Sequence, residues 1–241
     1  MNQQPIFVFV RHCAVSNNSK NKVRPDWFSK EKALINLINT KDDNTYITVL
    51  LDTASTDDPD NYFSYKYEKT EKVRTVQLKG GTDAHSFINL LEYIDTLNIQ
   101  SNAIIYLLED DYIHVVGWSN IMREGFKLNV SDYITLYDHP DKYDKNIYSN
   151  LQSTLYVSKS CHWRSTPSTT NTYALLFSTL KKQKDIHIKF SDKNEGYTFD
   201  HNKFMYLNSL GCKLISCIPG YSTHVENEHL SPIIKWQDIS K

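Results

Sequence analysis

The chain has 241 residues and a formal net charge of −1, with 27 Lys and Arg balanced by 28 Asp and Glu. This balance gives no overall electrostatic reason to expect a nucleic acid or an acidic membrane surface as a partner. The four cysteines lack the paired spacing of a zinc site, and no apolar run reaches membrane-spanning length. We therefore expect a single α/β domain in a soluble, cytoplasmic protein with reduced thiols and no transmembrane segment.

The amino-terminal quarter of the chain predicts a strand, a helix and a second strand. Residues 5–10 (PIFVFV) are β-branched and aromatic, which is typical of a strand, and a polar loop starts at Arg11. Apolar residues recur at helical spacing over 27–38, and residues 46–51 predict the second strand, which ends in Asp52. Because the strands of a βαβ unit are parallel, we expect Asp52 at the same sheet edge as Arg11.

A glycine pair marks the next loop. Gly80 and Gly81 precede a helix predicted over 84–97, with Asp83 near its start. The amino terminus of such a helix has free N–H groups that could hold an anion or a ribose. A plain turn with a helix cap explains the same residues equally well.

The stretch 103–118 (AIIYLLEDDYIHVVGW) organises the chain, because a buried strand ends there in three adjacent carboxylates, Glu109, Asp110 and Asp111. Ligands of open α/β sheets bind where such strands end. Three like charges beside a packed core are costly unless a cation or protons compensate them, and Mg²⁺ and Mn²⁺ prefer oxygen ligands of this kind. A solvated acidic turn after the strand is the alternative interpretation.

The second half of the chain continues the α/β pattern. It predicts helices over 118–126, 173–180 and 201–210, and strands over 132–136, 151–157 and 213–218. Residues 181–196 are charged and are expected to form a mobile surface loop. Polar segments at 160–170 and 219–229 follow two of the predicted strands, and Asp200 stands at the start of the last helix.

The motifs together resemble the GT-A type, DXD-containing glycosyltransferases. The resemblance rests on four segments in the expected order: 107–112 (LLEDDY), 117–118 (GW), 162–169 (HWRSTPST) and 219–224 (PGYSTH). It implies a Rossmann-like α/β fold with a mixed, mostly parallel central sheet flanked by helices. It also implies a nucleotide-sugar-binding half at about 1–118 and an acceptor-binding half at about 119–241.

The resemblance also assigns residues to a donor site. Positions that contact the base, ribose or sugar of the nucleotide are matched by Arg11, His12, Asp52 and Asp83. Asp111 is expected to be the principal ligand of Mn²⁺ or Mg²⁺, with His224 as a further ligand. Glu109 and Asp110 are expected to contact the ribose, or the metal through water.

The acceptor side of the predicted site has fewer candidates. His162 and Trp163 suit an acceptor pocket, because an indole stacks on a sugar ring, although a buried Trp in the core is the plain alternative. Asp200 is the candidate general base, since a base must reach the acceptor hydroxyl. The alternative for Asp200 is a helix cap, because Asp is favoured at that position.

The predicted reaction is transfer of a sugar from a UDP- or GDP-sugar to a hydroxyl of a glycan or glycoprotein, with inversion. Two other functions stay open at this point. Residues 9–12 (FVRH) after a strand look like the Arg-His-Gly signature of histidine phosphatases, with Cys13 in place of the glycine, so that His12 would carry the phosphoryl group. A non-catalytic nucleotide- or carbohydrate-binding protein would keep the same fold.

Overall fold

The computed structural model describes residues 3–15, 22–69 and 72–240 of the protein, so part of the predicted loop after the first strand, 16–21, lies outside the described residues. The strands of these ranges are β1 (Ile6–His12), β2 (Thr45–Asp52), β3 (Val73–Leu78), β4 (Ile104–Glu109), β5 (Tyr112–His114), β6 (Tyr133–Thr135), β7 (Leu155–Val157), β8 (His162–Ser165), β9 (Tyr173–Leu176), β10 (Ser191–Asp192), β11 (Tyr197–Thr198), β12 (Leu214–Ile218) and β13 (Ser222–His224). The helices are α1 (Lys30–Thr40), α2 (Asp83–Asp95), α3 (Trp118–Lys127), α4 (Phe177–Lys189), α5 (Asp200–Ser209) and α6 (Trp236–Ile239).

Nine strands form the central sheet, in the order β3-β2-β1-β4-β9-β6-β12-β8-β7. Strands β3, β2, β1 and β4 are parallel, and β12 is parallel to β6. Only β9 and β8 are antiparallel to both of their neighbours, so the other seven strands of the sheet run in one direction. The sheet is therefore mixed and mostly parallel, as predicted.

Side chains of the central strands alternate between two hydrophobic clusters, one on each face of the sheet. On one face, Val8 and Val10 of β1 pack with apolar residues of α1 and α3. On the other face, Phe9 of β1 packs with α2, α4 and α5. Strand β4 is buried on both faces in the same way, which explains its continuous apolar run.

Two predictions for the second half, the helix over 173–180 and the loop over 181–196, were wrong. Residues 173–180 form strand β9 and only then the start of α4, and this helix continues to Lys189 through the segment predicted as a loop. Strands β10 and β11 form a small antiparallel ribbon after it. The run Tyr173–Leu176 is inserted between β4 and β6, where its burial on both faces suits a strand.

Strand register determines which residues meet at the site. Arg11 of β1 lies opposite Glu109 of β4 and Leu50 of β2, so the strand ends that carry Arg11, Asp52 and Glu109 share one edge, as predicted. Strand β5 starts directly after Asp111 and pairs with β13, which places His224 opposite Tyr112. Among the described residues, no helix combines the length and apolar character that a membrane crossing requires.

Candidate functional site

Arg11 is the centre of a charged cluster at the carboxyl end of β1. Its guanidinium donates to Asp83 Oδ1 at 2.5 Å and to Glu109 Oε1 at 3.0 Å, and it lies over the ring of Phe87. Burial raises the pKa of Glu109; Arg11 opposes this effect while Asp111 and Asp83 add to it, and the resulting pKa is about 7. The structure thus brings three of the predicted donor-site residues into direct contact.

His12 and Asp110 form a second pair, which is buried beneath the rings of Tyr62 and Phe63. His12 Nδ1 lies 3.0 Å from Asp110 Oδ2, and His12 Nε2 lies 2.6 Å from the Tyr62 hydroxyl. Asp110 Oδ2 also accepts from Lys30 Nζ at 2.8 Å. Burial raises the pKa of Asp110, but His12 and Lys30 outweigh burial and lower it to about 2.

Both ring nitrogens of His12 are therefore engaged within the protein, and the side chain is only 3% exposed. A phosphohistidine mechanism needs a ring nitrogen that can reach a substrate. This arrangement does not favour the histidine-phosphatase alternative.

Asp111 lies in a basic and imidazole-containing environment. Its Oδ2 atom is within 3.0 Å of Lys22 Nζ, 2.6 Å of Arg24 Nη2 and 2.9 Å of His224 Nε2. His224 is held in place by stacking on Tyr112. Burial raises the pKa of Asp111, but His224 and the two cations outweigh burial and hold the pKa well below its ordinary value.

The other carboxylate oxygen of Asp111, Oδ1, is buried and has no hydrogen-bond partner in the described part of the chain. A buried carboxylate oxygen without a partner is costly, so this atom is suited to a ligand. Within residues 3–15, 22–69 and 72–240, no three His, Cys, Asp or Glu side chains form a ready-made metal site. The nearest protein groups are the Asp111 carboxylate and the His224 imidazole, with the Glu226 carboxylate 3.9 Å from His224 Nε2, and together they are a partial donor set for a divalent cation.

Asp52 and the glycine pair form a single local structure. The Asp52 carboxylate accepts from the N–H groups of Gly80 at 3.0 Å, Gly81 at 2.7 Å and Ala54 at 3.0 Å. A Cβ atom on Gly80 would lie 2.9 Å from Asp52 Oδ2, so the backbone approaches this carboxylate as closely as only glycine permits. Asp52 thus fixes the loop that leads into α2, where Thr82 provides the cap.

Asp200 occupies the first turn of α5 but does not cap it. Phe199 is at the cap position, and no side chain there bonds the helix N–H groups. The Asp200 side chain is 24% exposed and lies 3.5 Å from Lys203 Nζ. Burial raises the pKa of Asp200; Lys203 and Arg11 oppose burial, and Asp83 adds to it.

The two predicted acceptor residues lie in different environments. His162 is exposed at the start of β8, but Trp163 is completely buried, packs against Gly125 of α3 and donates its indole N–H to Ser158 Oγ at 3.2 Å. Its indole face is not available to a sugar ring. The expectation of an acceptor contact at Trp163 is therefore corrected to a core position, because β8 directs this side chain into the cluster beneath α3.

Sequence reasoning missed four lysine and arginine residues of this site. Lys22 and Arg24 lie against Asp111. Lys30 lies against Asp110, and Lys203 lies against Asp200. The first three come from the polar segment after β1 and the start of α1. The sequence shows several basic residues between positions 20 and 32, but nothing in it indicates that any of them meets the acidic triplet.

No protein-family model matches the chain, and no curated protein matches it in sequence. Solved structures with a similar fold include S. aureus TarS residues 1–349, with a TM-score of 0.51, 14% identity, and coverage of 88% of this chain and 57% of that one. A longer S. aureus TarS structure has a TM-score of 0.52 at 14% identity, covering 88% and 35%. TarS 1–349 in complex with UDP has a TM-score of 0.51 at 12% identity, covering 88% and 57%.

The chain thus spans between about a third and somewhat more than half of the length of these structures. Likeness at this identity concerns the fold, not the activity. With the mixed nine-stranded sheet and the flanking helices, it shows that the chain has a GT-A-like α/β fold.

Proposed function

We propose that the protein is a metal-dependent glycosyltransferase that moves a sugar from a UDP- or GDP-sugar to a hydroxyl of a glycan or glycoprotein. The observation that carries this proposal is the environment of Asp111, at the end of the central strand β4. One oxygen of Asp111 faces two cations and His224, and the other is buried and unpartnered among the described residues. The GT-A-like fold and the UDP complex of the similar TarS structure support a nucleoside diphosphate as the ligand.

Asp111 and His224 supply donor atoms of the kind that divalent cations bind. Asp111 Oδ1 and His224 Nε2 would hold Mn²⁺ or Mg²⁺, which commonly bind one or two protein groups and complete their coordination with water and substrate phosphates. When bound, the cation supplies Lewis-acid stabilisation of the charge that develops on the leaving diphosphate. Lys22 and Arg24 lie beside the same carboxylate and would bind the diphosphate oxygens.

The Arg11 cluster would form the nucleoside and sugar side of the donor site. Asp52 and Asp83 position the glycine loop and the start of α2, and Arg11 connects Asp83 to Glu109. Two carboxylates held by one arginine present oxygens of fixed orientation, which suits ribose or sugar hydroxyls. Asp110 contacts His12 of β1 and accepts from Lys30 of α1, and it would support this edge, not contact the ligand directly.

The proposed reaction inverts the configuration at the anomeric carbon. The acceptor hydroxyl oxygen forms a bond to that carbon, the bond from the carbon to the diphosphate oxygen breaks, and the hydroxyl proton passes to Asp200. A carboxylate whose pKa is raised is a better proton acceptor near neutral pH than an ordinary one. A retaining mechanism would not need Asp200 as a base.

The test is a comparison of wild-type protein with Asp111→Ala in donor binding and transfer. Thermal shift is measured with UDP, GDP and their sugars, each with Mn²⁺, with Mg²⁺ and with EDTA. A ligand at a hundredfold excess over its Kd stabilises the native state by about 2.7 kcal/mol. We expect a shift for one base family that EDTA or Asp111→Ala removes, and loss of transfer in the same variant.

Asp95→Asn is the matched control, because Asp95 is an ion-paired aspartate at the opposite end of α2 from the site. It should bind donor and transfer sugar as the wild type does. Full transfer by Asp111→Ala would refute the proposed site. Metal-dependent nucleotide binding without hydrolysis or transfer of any nucleotide-sugar would instead identify a non-catalytic binding protein.

A further inference from the structure

Lys203 is a buried amine that the donor site does not account for. Its side chain is 1% exposed, although it lies only one turn after Asp200 on α5. Its Nζ atom is surrounded by the rings of Phe87, Tyr173 and Phe204, whose centroids lie 5.0, 4.8 and 5.4 Å away. Burial disfavours a charged amine and lowers the pKa of Lys203, while Asp200 opposes that effect. Packing alone does not explain why a lysine is buried at this position.

A continuous set of hydrogen bonds starts at this amine. Lys203 donates to Asn171 Oδ1, and Asn171 donates from Nδ2 to Thr198 Oγ1 at 2.7 Å. Thr198 then donates its hydroxyl to Asp83 Oδ2 at 2.6 Å, and the other oxygen of Asp83 accepts from Arg11. Arg11 is bonded in turn to Glu109.

The direction of each bond in this set is determined by chemistry. A protonated lysine amine only donates, so Asn171 must present its oxygen to Lys203 and its amide N–H to Thr198. The threonine hydroxyl then has its one proton left for Asp83, which as a carboxylate only accepts. Two protein cations therefore stand at the two ends of the set, Lys203 beside Asp200 and Arg11 beside Glu109.

The charged groups that act on Asp200 come from four elements. Lys203 of α5 and Arg11 of β1 are cationic, and Asp83 of α2 and Glu109 of β4 are acidic. Lys203 is the cation in direct contact, at 3.5 Å. Without it, Asp200 would remain close to two carboxylates with only Arg11, which is already engaged by both of them.

We propose that Lys203 is a positioning residue of the transferase reaction, which holds the Asp200 carboxylate ionised and oriented toward the acceptor and links it through Asn171 and Thr198 to the donor-site cluster. This inference rests on the proposed function for its catalytic meaning. The statement that a buried amine controls the charge of Asp200 does not depend on the proposed function. The cost of burying the amine is offset by its contacts with Asn171 and Asp200.

The test variants are Lys203→Met, which keeps the length of the side chain and removes its charge, and Lys203→Gln, which keeps an N–H donor for Asn171. Loss of a cation within about 4–6 Å of a carboxyl raises its pKa by about one to three units. We expect the acidic limb of the pH profile of kcat to move upward by at least about one pH unit in both variants. At a fixed pH on the acidic side of the profile, kcat of the variants should be about tenfold lower than that of the wild type for each pH unit of this shift. KM for the donor should be unchanged.

The pKa of Asp200 is also followed directly, because Glu109 is a second titrating carboxyl group of the same charged cluster. Carboxyl ¹³C resonances of aspartate-labelled protein are measured against pH, with Asp200→Asn used to assign the signal. A higher Asp200 pKa in Lys203→Met supports the inference even if the wild-type protein transfers no sugar, so failure of the proposed function is distinguishable. Lys181→Met, which removes an exposed ion-paired lysine of α4, should change neither measurement.

An Asp200 pKa that is the same in wild type and both variants would overturn the inference. So would loss of folding or of UDP binding in both variants, because Lys203 would then serve the fold and not the charge of Asp200. A fall in kcat that is equal at all pH values would likewise contradict it, since the effect would not act through ionisation.

Discussion

Replacement of Asp110 by Asn tests whether the middle acid of the triplet stabilises the fold. Asp110 Oδ2 accepts from the Cys13 N–H and Lys30 and contacts His12, and the side chain is only 12% exposed. Its pKa falls from 3.8 to about 2 in the folded protein, and one pKa unit corresponds to about 1.36 kcal/mol. The charge of Asp110 therefore contributes about 2 kcal/mol to the free energy of unfolding at neutral pH.

The pH dependence of this contribution has a definite sign. A carboxyl whose pKa is lowered by folding stabilises the protein fully above its unfolded pKa of 3.8, and the stabilisation is lost as the pH falls through about 2. We expect Asp110→Asn to lower Tm by about 4–8 °C at pH 7, given about 2–4 °C per kcal/mol for a chain of this size. The difference in unfolding free energy between wild type and variant should shrink to about half at pH 3.

The assay is denaturant and thermal unfolding of both proteins from pH 7 to pH 3. Asp95→Asn is the comparison, because Asp95 also has two lysine partners, Lys181 and Lys184, but at the surface, where ion pairs contribute about 0–1 kcal/mol. If Asp110→Asn destabilised the protein no more than Asp95→Asn, or by the same amount at both ends of the pH range, the reasoning would be wrong.

Two further substitutions separate packing from ligand contact. Trp163→Ala should lower the unfolding free energy by about 3–5 kcal/mol, because it empties a fully buried site. Trp163→Phe should leave KM for the acceptor unchanged. A raised KM in Trp163→Phe would show that Trp163 contacts the acceptor. Asp52→Ala frees the N–H groups of the Gly80–Gly81 turn and should cost about 1–3 kcal/mol while weakening nucleotide binding, as measured by unfolding and by calorimetry with UDP and GDP. Unchanged stability and affinity would show that this carboxylate does not organise the loop.

The pattern of residues along the chain predicted most elements of the first half of the fold, although it did not predict strand β5. Strand β1 spans Ile6–His12 where 5–10 was expected, and α2 spans Asp83–Asp95 where 84–97 was expected. Strand β1 is a continuous run of β-branched and aromatic residues, and α2 has apolar residues at helical spacing. Their order along the chain follows the βαβ rule. The common edge of Arg11, Asp52 and Glu109 follows from that rule, because parallel strands end on the same side.

Tertiary structure alone decided the position of β9. The apolar run 173–180 is too short for its period to distinguish a helix from a strand, and the prediction of a helix failed at its first four residues. Tyr173–Leu176 became a strand because a gap between β4 and β6 could pair its backbone on both sides.

The same limit applies to the charges of the candidate site. The carboxylates of 109–111 were evident from the sequence, because three acids stand side by side directly after an apolar run. Their partners were not evident, because Lys22, Arg24 and Lys203 resemble any surface lysine or arginine until distant segments fold against them. The sequence by itself determined which strands deliver acids to the sheet edge, whereas only the tertiary structure decided which cations meet them, since contacts between segments distant along the chain leave no local pattern.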